Sequence, residues 1–190
     1  MSSLVDNDAP KKDKFANITW KRASEIYKAP KIFDEKISPD DINQGGLGNC
    51  YYLCTLSAMA EVPERIKEMF VTKEINKAGI YLMTFWINGV ETPVIVDDHI
   101  PCRNNNPCFS STDTQEIWAM LLEKAWAKLY GAYARTEGGQ PSFASVHLQG
   151  VPSWSLTHAD LKTTDEKEKF WYMIKSMDSR QFTMMASSLG

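Results

Sequence analysis

From Tyr51 to Ala60 the chain reads Tyr-Tyr-Leu-Cys-Thr-Leu-Ser-Ala-Met-Ala, an apolar run free of Pro and Gly. Apolar residues on every side (Tyr52, Leu53, Leu56, Ala58, Met59) predict a central, buried helix starting at Cys50. It should run to about Glu61, ended by Pro63, which restarts a short helix through Glu68. A β signal follows in Ile80–Ile87, then Asn88-Gly89, then Val94-Ile95-Val96. Asn-Gly between apolar runs predicts a hairpin with a primed turn. Helical spacing returns over Thr114–Ala134, where Trp118, Leu121, Leu122, Ala125 and Leu129 form one apolar stripe and Lys124 and Lys128 mark the wet face. Glu123 lies among Ala119, Trp126, Ala127 and Tyr130, so its carboxylate needs a cationic or N–H partner. A structural role for it is expected ahead of a catalytic acid.

The remaining segments give weaker patterns. Residues 1–18 are polar and read as a flexible lead-in, leaving 19–190 as the folded unit. Trp20–Tyr27 predicts a short helix with Trp20 and Ile26 inward. Ser38-Pro39-Asp40-Asp41 is a helix start with Ser as cap. Pro101–Ser111 reads as loop, as does the stretch from Gly138-Gly139 through Pro152. Thr163-x-x-Glu166 is a capping box for a last helix with Phe170, Trp171, Ile174 and Met177 inward. Gln181–Gly190 looks like a strand cut mid-element. The fold class these elements predict is α+β, predominantly helical.

Composition narrows the function. With 190 residues and a 43% hydrophobic fraction the chain can build a substantial core. A formal net charge of −3 gives no broad footprint for nucleic acid or an anionic membrane. The N-terminus lacks an apolar secretion signal, no run is long enough for a transmembrane segment, and Ser2 stands where myristoylation needs Gly. A cytoplasmic protein is expected. Its four cysteines should then be reduced. Their spacings, Cys50-x3-Cys54 and Cys102-x5-Cys108, fit zinc poorly. Cys54 is expected as a small buried core residue rather than a resolving thiol.

The chemistry centres on Gln44-Gly-Gly-Leu-Gly-Asn-Cys50. Its glycines suit positive φ and close approach to a ligand. They deliver Cys50 to a helix start, where free N–H groups and the positive end of the helix dipole suit a nucleophilic sulfur. The Cys50 N–H and the Gln44 side-chain amide can both reach a developing oxyanion. Gly48-Asn49-Cys50-Tyr51 fits the first part of a papain-type signature, whose His and Asn follow about 130–150 residues later. None of His99, His147 and His158 meets that separation, which puts the base at or beyond the end of these residues. His158 is the best of the three.

Gln44–Tyr51 resembles the active-site motif of the calpain family, usually Gln-Gly-x-Leu-Gly-Asp-Cys-Trp. Trp20-Lys21-Arg22-x-x-Glu25-Ile26, Val94-Ile-Val-Asp-Asp98 and Glu116-Ile-Trp-Ala-Met-Leu-Leu-Glu-Lys-Ala125 also resemble family segments, in the same order. Asn49 replaces the usual Asp, removing a charge beside the thiol, and Tyr51 replaces Trp. The resemblance implies a papain-like, calcium-dependent cysteine protease core, of which 19–190 would be the first, nucleophile-bearing subdomain. Cys50 would be the nucleophile and Gln44 an oxyanion donor. Gly139, of the Gly138-Gly139 pair, would hydrogen-bond the substrate strand. The base and its orienting Asn would come from a second subdomain, so the isolated chain should not turn over its protein substrates.

The resemblance also implies Ca2+, held by Asp41 and Glu116 carboxylates and by backbone carbonyls of Asp34 and Lys36. Lys36 stands where the family usually has Gly. Other roles are open for these residues: Asp41 could favour its own helix start, and Glu116 could close a capping box with Asp113. Two rival functions are a non-catalytic calpain-like interaction module and a thiol redox protein using Cys50 and Cys54.

Overall fold

The computed structural model describes residues 12–34 and 36–187. The apolar run forms helix α2 (Cys50–Ala60). It is preceded by a short helix α1 (Ala23–Ile26) and followed by α3 (Pro63–Glu68), opened by the proline. α4 (Trp118–Tyr130) lies beside α2, and the contact is aromatic. Tyr52 stacks on Trp126 at 4.7 Å between ring centroids, and its hydroxyl donates to the Leu122 carbonyl at 2.9 Å. Burying the rings and satisfying the hydroxyl inside the core fixes how α2 lies against α4.

The expected hairpin is present. Strands β2 (Ile80–Ile87) and β3 (Val90–Asp97) pair antiparallel from Ile80↔Asp97 to Ile87↔Val90. Asn88 (φ 52°) and Gly89 (φ 77°) supply the two left-handed residues of a primed turn. Tyr81, Met83 and Phe85 point into the core that α2 and α4 share. The α+β class is thus observed.

A second antiparallel sheet departs from expectation. Its order is β1-β4-β5, formed by β1 (Thr19–Arg22), β4 (His99–Arg103) and β5 (Asn106–Pro107). Trp20 therefore lies on a strand rather than a helix, because pairing of Thr19–Arg22 with His99–Cys102 overrides local propensity. Similarly, Pro101–Ser111 is only partly loop. Asn104 (φ 51°) and Asn105 (φ 67°) make the turn of a β4–β5 hairpin.

Further corrections concern helix ends and burial. α4 starts later than Thr114 and stops at Tyr130, where Gly131 (φ 87°) ends it. The stretch read as loop to Pro152 contains helix α5 (Pro141–Gln149), with Pro at its start and Gly150 (φ 67°) after it. α6 (Thr164–Ser179) has the expected Thr163–Glu166 cap, but none of its residues is fully buried and Trp171 is exposed. Apolar periodicity marks a face to be covered, and among the described residues this one is covered only in part, with Phe170, Ile174 and Met177 half-buried. Residues 182–187 form no strand; instead Arg65 donates to the Gln181 carbonyl and the Thr183 hydroxyl. Residues 188–190 of that segment lie outside the described residues.

Of the expected lead-in, residues 1–11 lie outside the described residues. Lys12–Phe15 forms a 3-10 turn, and Phe15 is buried against Phe109 at 5.7 Å. From there onward the segment is part of the fold. Cys54 is exposed rather than buried, so α2 shows one face, with Cys50 and Cys54, to solvent.

Lys124 does not mark a wet face; it is 3% exposed. Its ammonium donates to Asp97 at 2.7 Å and to the His99 carbonyl at 2.6 Å, and lies 5.0 Å above the Trp20 ring. The long apolar stem crosses the core and the charge finds a partner at the far side. Burial alone would push the Asp97 carboxyl up, but hydrogen bonds from Lys124 and His99 and the ammonium's charge outweigh it and hold the carboxyl below its usual range. A depressed carboxyl stabilises above its unfolded pKa, and that stability is lost as pH falls through the folded value. Lys124→Met leaves Asp97 buried without its cation, so urea denaturation at neutral pH should show a loss of about 3 kcal/mol. The loss should shrink on acidification, as Asp97 takes a proton.

Candidate active site

The loop that delivers Cys50 is gripped from two sides. On one, Asn43 and Ser111 exchange backbone hydrogen bonds at 2.8 and 3.0 Å, and the Gly46 N–H donates to the Cys108 carbonyl at 2.9 Å. A Cβ on Gly45 would stand 2.1 Å from the Phe109 carbonyl oxygen. On the other side, the Gly138 N–H donates to the Gly48 carbonyl at 2.8 Å, and the Gly48 N–H to the Glu137 carboxylate at 3.2 Å. None of Gly45, Gly46 and Gly48 has positive φ, contrary to the sequence expectation. At Gly45, lack of space is what demands glycine.

Asn49 turns this loop into a helix. Its carbonyl accepts from the N–H groups of Tyr52 (2.9 Å) and Leu53 (3.1 Å). Its side chain points into the core, fully buried, and donates to Glu123 at 2.7 Å. The other Glu123 oxygen accepts from the Ser110 N–H (3.0 Å) and hydroxyl (2.8 Å). Burial pushes the Glu123 carboxyl up, against the pull of these donors. Glu123 thus has the N–H partners its position required and is structural. With Asn49 inward, Cys50 is exposed at the first turn of α2.

Gln44 is also exposed, but its amide nitrogen donates to the Leu47 carbonyl at 2.9 Å within its own loop. The nitrogen carries two hydrogens, and Leu47 takes one. Gly138 and Gly139 present exposed backbone beside the cysteine loop. A Cβ on Gly139 would fall 2.6 Å from the Tyr51 ring, which is braced by the Trp126 indole N–H at 3.1 Å. Glu137 and Tyr51 are the residues that seat this pair; Tyr51 stands in the cysteine motif, whereas Glu137 was not read as part of the site.

The histidines are engaged elsewhere. His99 Nδ1 meets Asp97 at 2.9 Å. His147 lies on α5, not in a loop, with Nδ1 2.8 Å from the Phe143 carbonyl and its ring edge-on to Trp126. His158 sits on an exposed 3-10 turn. Among the described residues, none hydrogen-bonds Cys50. Burial pushes the thiols of Cys102 and Cys108 up to about 11. Cys54 donates to the Tyr51 carbonyl at 3.2 Å, and partial burial pushes its thiol up as well.

Of the residues expected at a cation, Asp34, Asp41 and Glu116 lie near one another. Asp41 ends a 3-10 turn, Pro39–Asp41, and its carboxylate closes back on the Ser38 N–H. Glu116 is buried, bridged to Lys31 in parallel fashion, and accepts from the Asp34 N–H and the Thr114 hydroxyl. The capping box with Asp113 does not form, since α4 begins at Trp118 and Asp113 accepts from Asn43. Burial pushes the Glu116 carboxyl up, and the charges of Asp41 and Asp34 push the same way. Among the described residues, no three His, Cys, Asp or Glu side chains form a ready metal cluster. The carboxylates are hard oxygen donors whose mutual repulsion a cation would relieve, so the site is chemically compatible with one provided that carbonyls complete it.

Comparison with known proteins bears on the same site. The family described as calpain family cysteine protease matches residues 1–190. The chain is 38% identical over 157 residues to the calpain-type cysteine protease DEK1 of Arabidopsis thaliana, covering 78% of this chain and 7% of that protein. It is 37% identical over 144 residues to calpain-5 of Caenorhabditis elegans, covering 71% of this chain and 22% of the relative. For calpain-5 of Mus musculus the identity is 35% over 162 residues, covering 79% and 25%. The chain therefore spans a quarter or less of each of these relatives.

The packing at Gly45 is directly testable. Gly45→Ala forces a methyl into the Phe109 carbonyl, which belongs to backbone and cannot turn aside. We expect a loss of about 1–3 kcal/mol in chemical denaturation, together with altered Cys50 alkylation. Gly138→Ala, where the Cβ meets nothing within 4 Å but φ is +71°, should cost only about 1 kcal/mol.

Proposed function

The chain belongs to the calpain family of cysteine proteases, and from that membership we propose that it supplies the nucleophile half of an endopeptidase that cuts protein substrates through a thioester. The observation that carries this reading is Cys50: exposed at the first turn of a helix whose other faces are core, at the end of a loop gripped on both sides. A nucleophile held rigidly with its attack face open loses little entropy on reaching the scissile carbonyl.

In this reading the Cys50 sulfur attacks the peptide carbonyl carbon. The oxyanion takes the Cys50 backbone N–H and the Gln44 amide, which turns from Leu47 to reach it. The exposed backbone at Gly139 pairs with the substrate strand. A His oriented by an Asn, both from a second subdomain, takes the thiol proton and returns it to the leaving amine; water then hydrolyses the thioester. The partly covered apolar face of α6 is a place for that subdomain to pack. A cytoplasmic setting, which four unpaired thiols suit, belongs to the same proposal. No described helix is long and apolar enough to cross a membrane.

Calcium regulation is also proposed. Asp41 and Glu116 would hold Ca2+ with the carbonyls of Asp34 and Lys36. The bound charge would offset the repulsion at Glu116 and tie the segment before the cysteine loop to the start of α4.

Peptide hydrolysis by the full-length protein should fall by roughly a thousandfold or more in Cys50→Ala. The isolated 190 residues should show none, and Cys50-dependent turnover by them alone contradicts the half-site. Calorimetric titration of the full-length protein with Ca2+ should show binding that Asp41→Ala abolishes; no heat in the parent protein removes the calcium part of the reading.

A further inference from the structure

Asn49 makes a contact that the reaction does not use. It is fully buried, and its side chain crosses from the start of α2 to Glu123 on α4. A carboxylate can only accept, so the amide nitrogen must face it. This orientation leaves the Asn49 carbonyl oxygen buried with no hydrogen bond among the described residues. An orphaned buried oxygen costs roughly 1–3 kcal/mol. The position tolerates that cost while keeping the nitrogen on Glu123, so the donor is what it requires.

We infer that Asn49 is a positioning residue for Cys50: its amide, donating to Glu123, fixes the outward aim of the thiol and keeps that aim independent of pH. Asn49 is the cap residue just ahead of α2, so anchoring its side chain inward fixes the direction in which the chain enters the helix, and with it the side on which Cys50 emerges. An amide gives its hydrogen at every pH. The Asp usual in the calpain motif has a hydrogen to give only while one of the two carboxyls keeps a proton.

Among the described residues that Glu123 meets, none is a cation that would neutralise a second charge. Facing it are the Ser110 N–H and hydroxyl, the Tyr52 and Tyr133 hydroxyls and the Cys108 thiol. The Tyr52 hydroxyl is spent on the Leu122 carbonyl. The neighbouring Lys124 is turned to Asp97 and His99. Burial already pushes the Glu123 carboxyl up with Asn49 in place. With Asp there, one proton would be shared, its pKa in the folded protein raised above that in the unfolded chain. Whatever it stabilises is then present at low pH and lost as pH rises through the folded value.

The test is alkylation of Cys50 by iodoacetamide in the 190-residue chain, read cysteine by cysteine by peptide mass spectrometry, with Cys54 as internal reference. The inference rests on Cys50 being the working thiol, but alkylation needs neither substrate nor second subdomain. Absence of proteolysis by the full-length protein would therefore count against the protease reading and leave this result intact. The parent chain gives the reference rate for Cys50 at each pH. Asn49→Asp should match it within about twofold near pH 5.5 and lag by about tenfold near pH 8. The double variant Asn49→Asp/Glu123→Gln reverses donor and acceptor, and should recover to within about threefold near pH 8. If Asn49→Asp unfolds at the higher pH, urea midpoints at the two pH values read the same proton: a fall for the single variant, a smaller one for the double. A single variant whose rate or midpoint parallels the parent over the whole range overturns the inference, as does a folded double variant that fails to recover.

Discussion

Asn49 and Glu123 meet at 2.7 Å in a part of the interior closed to water, and much of the site follows from that contact. It joins the end of the glycine loop to the middle of α4, and the same carboxylate reaches on to Ser110. Ser110 lies in the segment that grips the loop through Cys108 and Ser111. One buried group therefore ties together the loop, the helix start and the strand-like segment beside them. Such a network is stable only when every hydrogen finds an acceptor, which makes it sensitive to a single atom at position 49.

α4 does this twice with adjacent residues. Glu123 is turned toward the cysteine loop, while Lys124 is turned toward the β3–β4 corner and holds Asp97 and the His99 carbonyl. Two buried side chains of opposite charge, each with its own partners, set the angle at which α4 meets both halves of the fold. The stacked Tyr52 and Trp126 add an aromatic contact between α2 and α4. Rigidity at Cys50 is thus inherited from a helix on which Glu123, Lys124 and Trp126 each have defined partners.

What was legible in the sequence was what local chemistry decides. The apolar run gave α2, Asn88-Gly89 gave the hairpin, and Thr163 with Glu166 gave the cap of α6. The ordered motifs around Cys50 gave the family. What was not legible depended on partners far along the chain. Trp20 is on a strand because β4 pairs with it, and Lys124 is buried because Asp97 waits across the core. Cys54 looked buried from its apolar neighbours, but one face of α2 stays open. The three loop glycines suggested positive φ, whereas at Gly45 the constraint is the Phe109 carbonyl. The reach of Glu123 to an N–H partner was foreseeable from its position; that the partner is Asn49 was not.

The central claim is that this fold singles out Cys50 from the other thiols. Substoichiometric iodoacetamide, with each cysteine quantified by peptide mass spectrometry, tests it in the native chain. Cys102 is buried, and Cys108 is half-buried with its sulfur on the Pro101 carbonyl; burial pushes both thiols up to about 11, so both should react slowly and the comparison that matters is between the two exposed thiols of α2. Cys50 should be modified first, by about tenfold over Cys54, whose sulfur is tied to the Tyr51 carbonyl. Equal or faster modification of Cys54 would contradict the account.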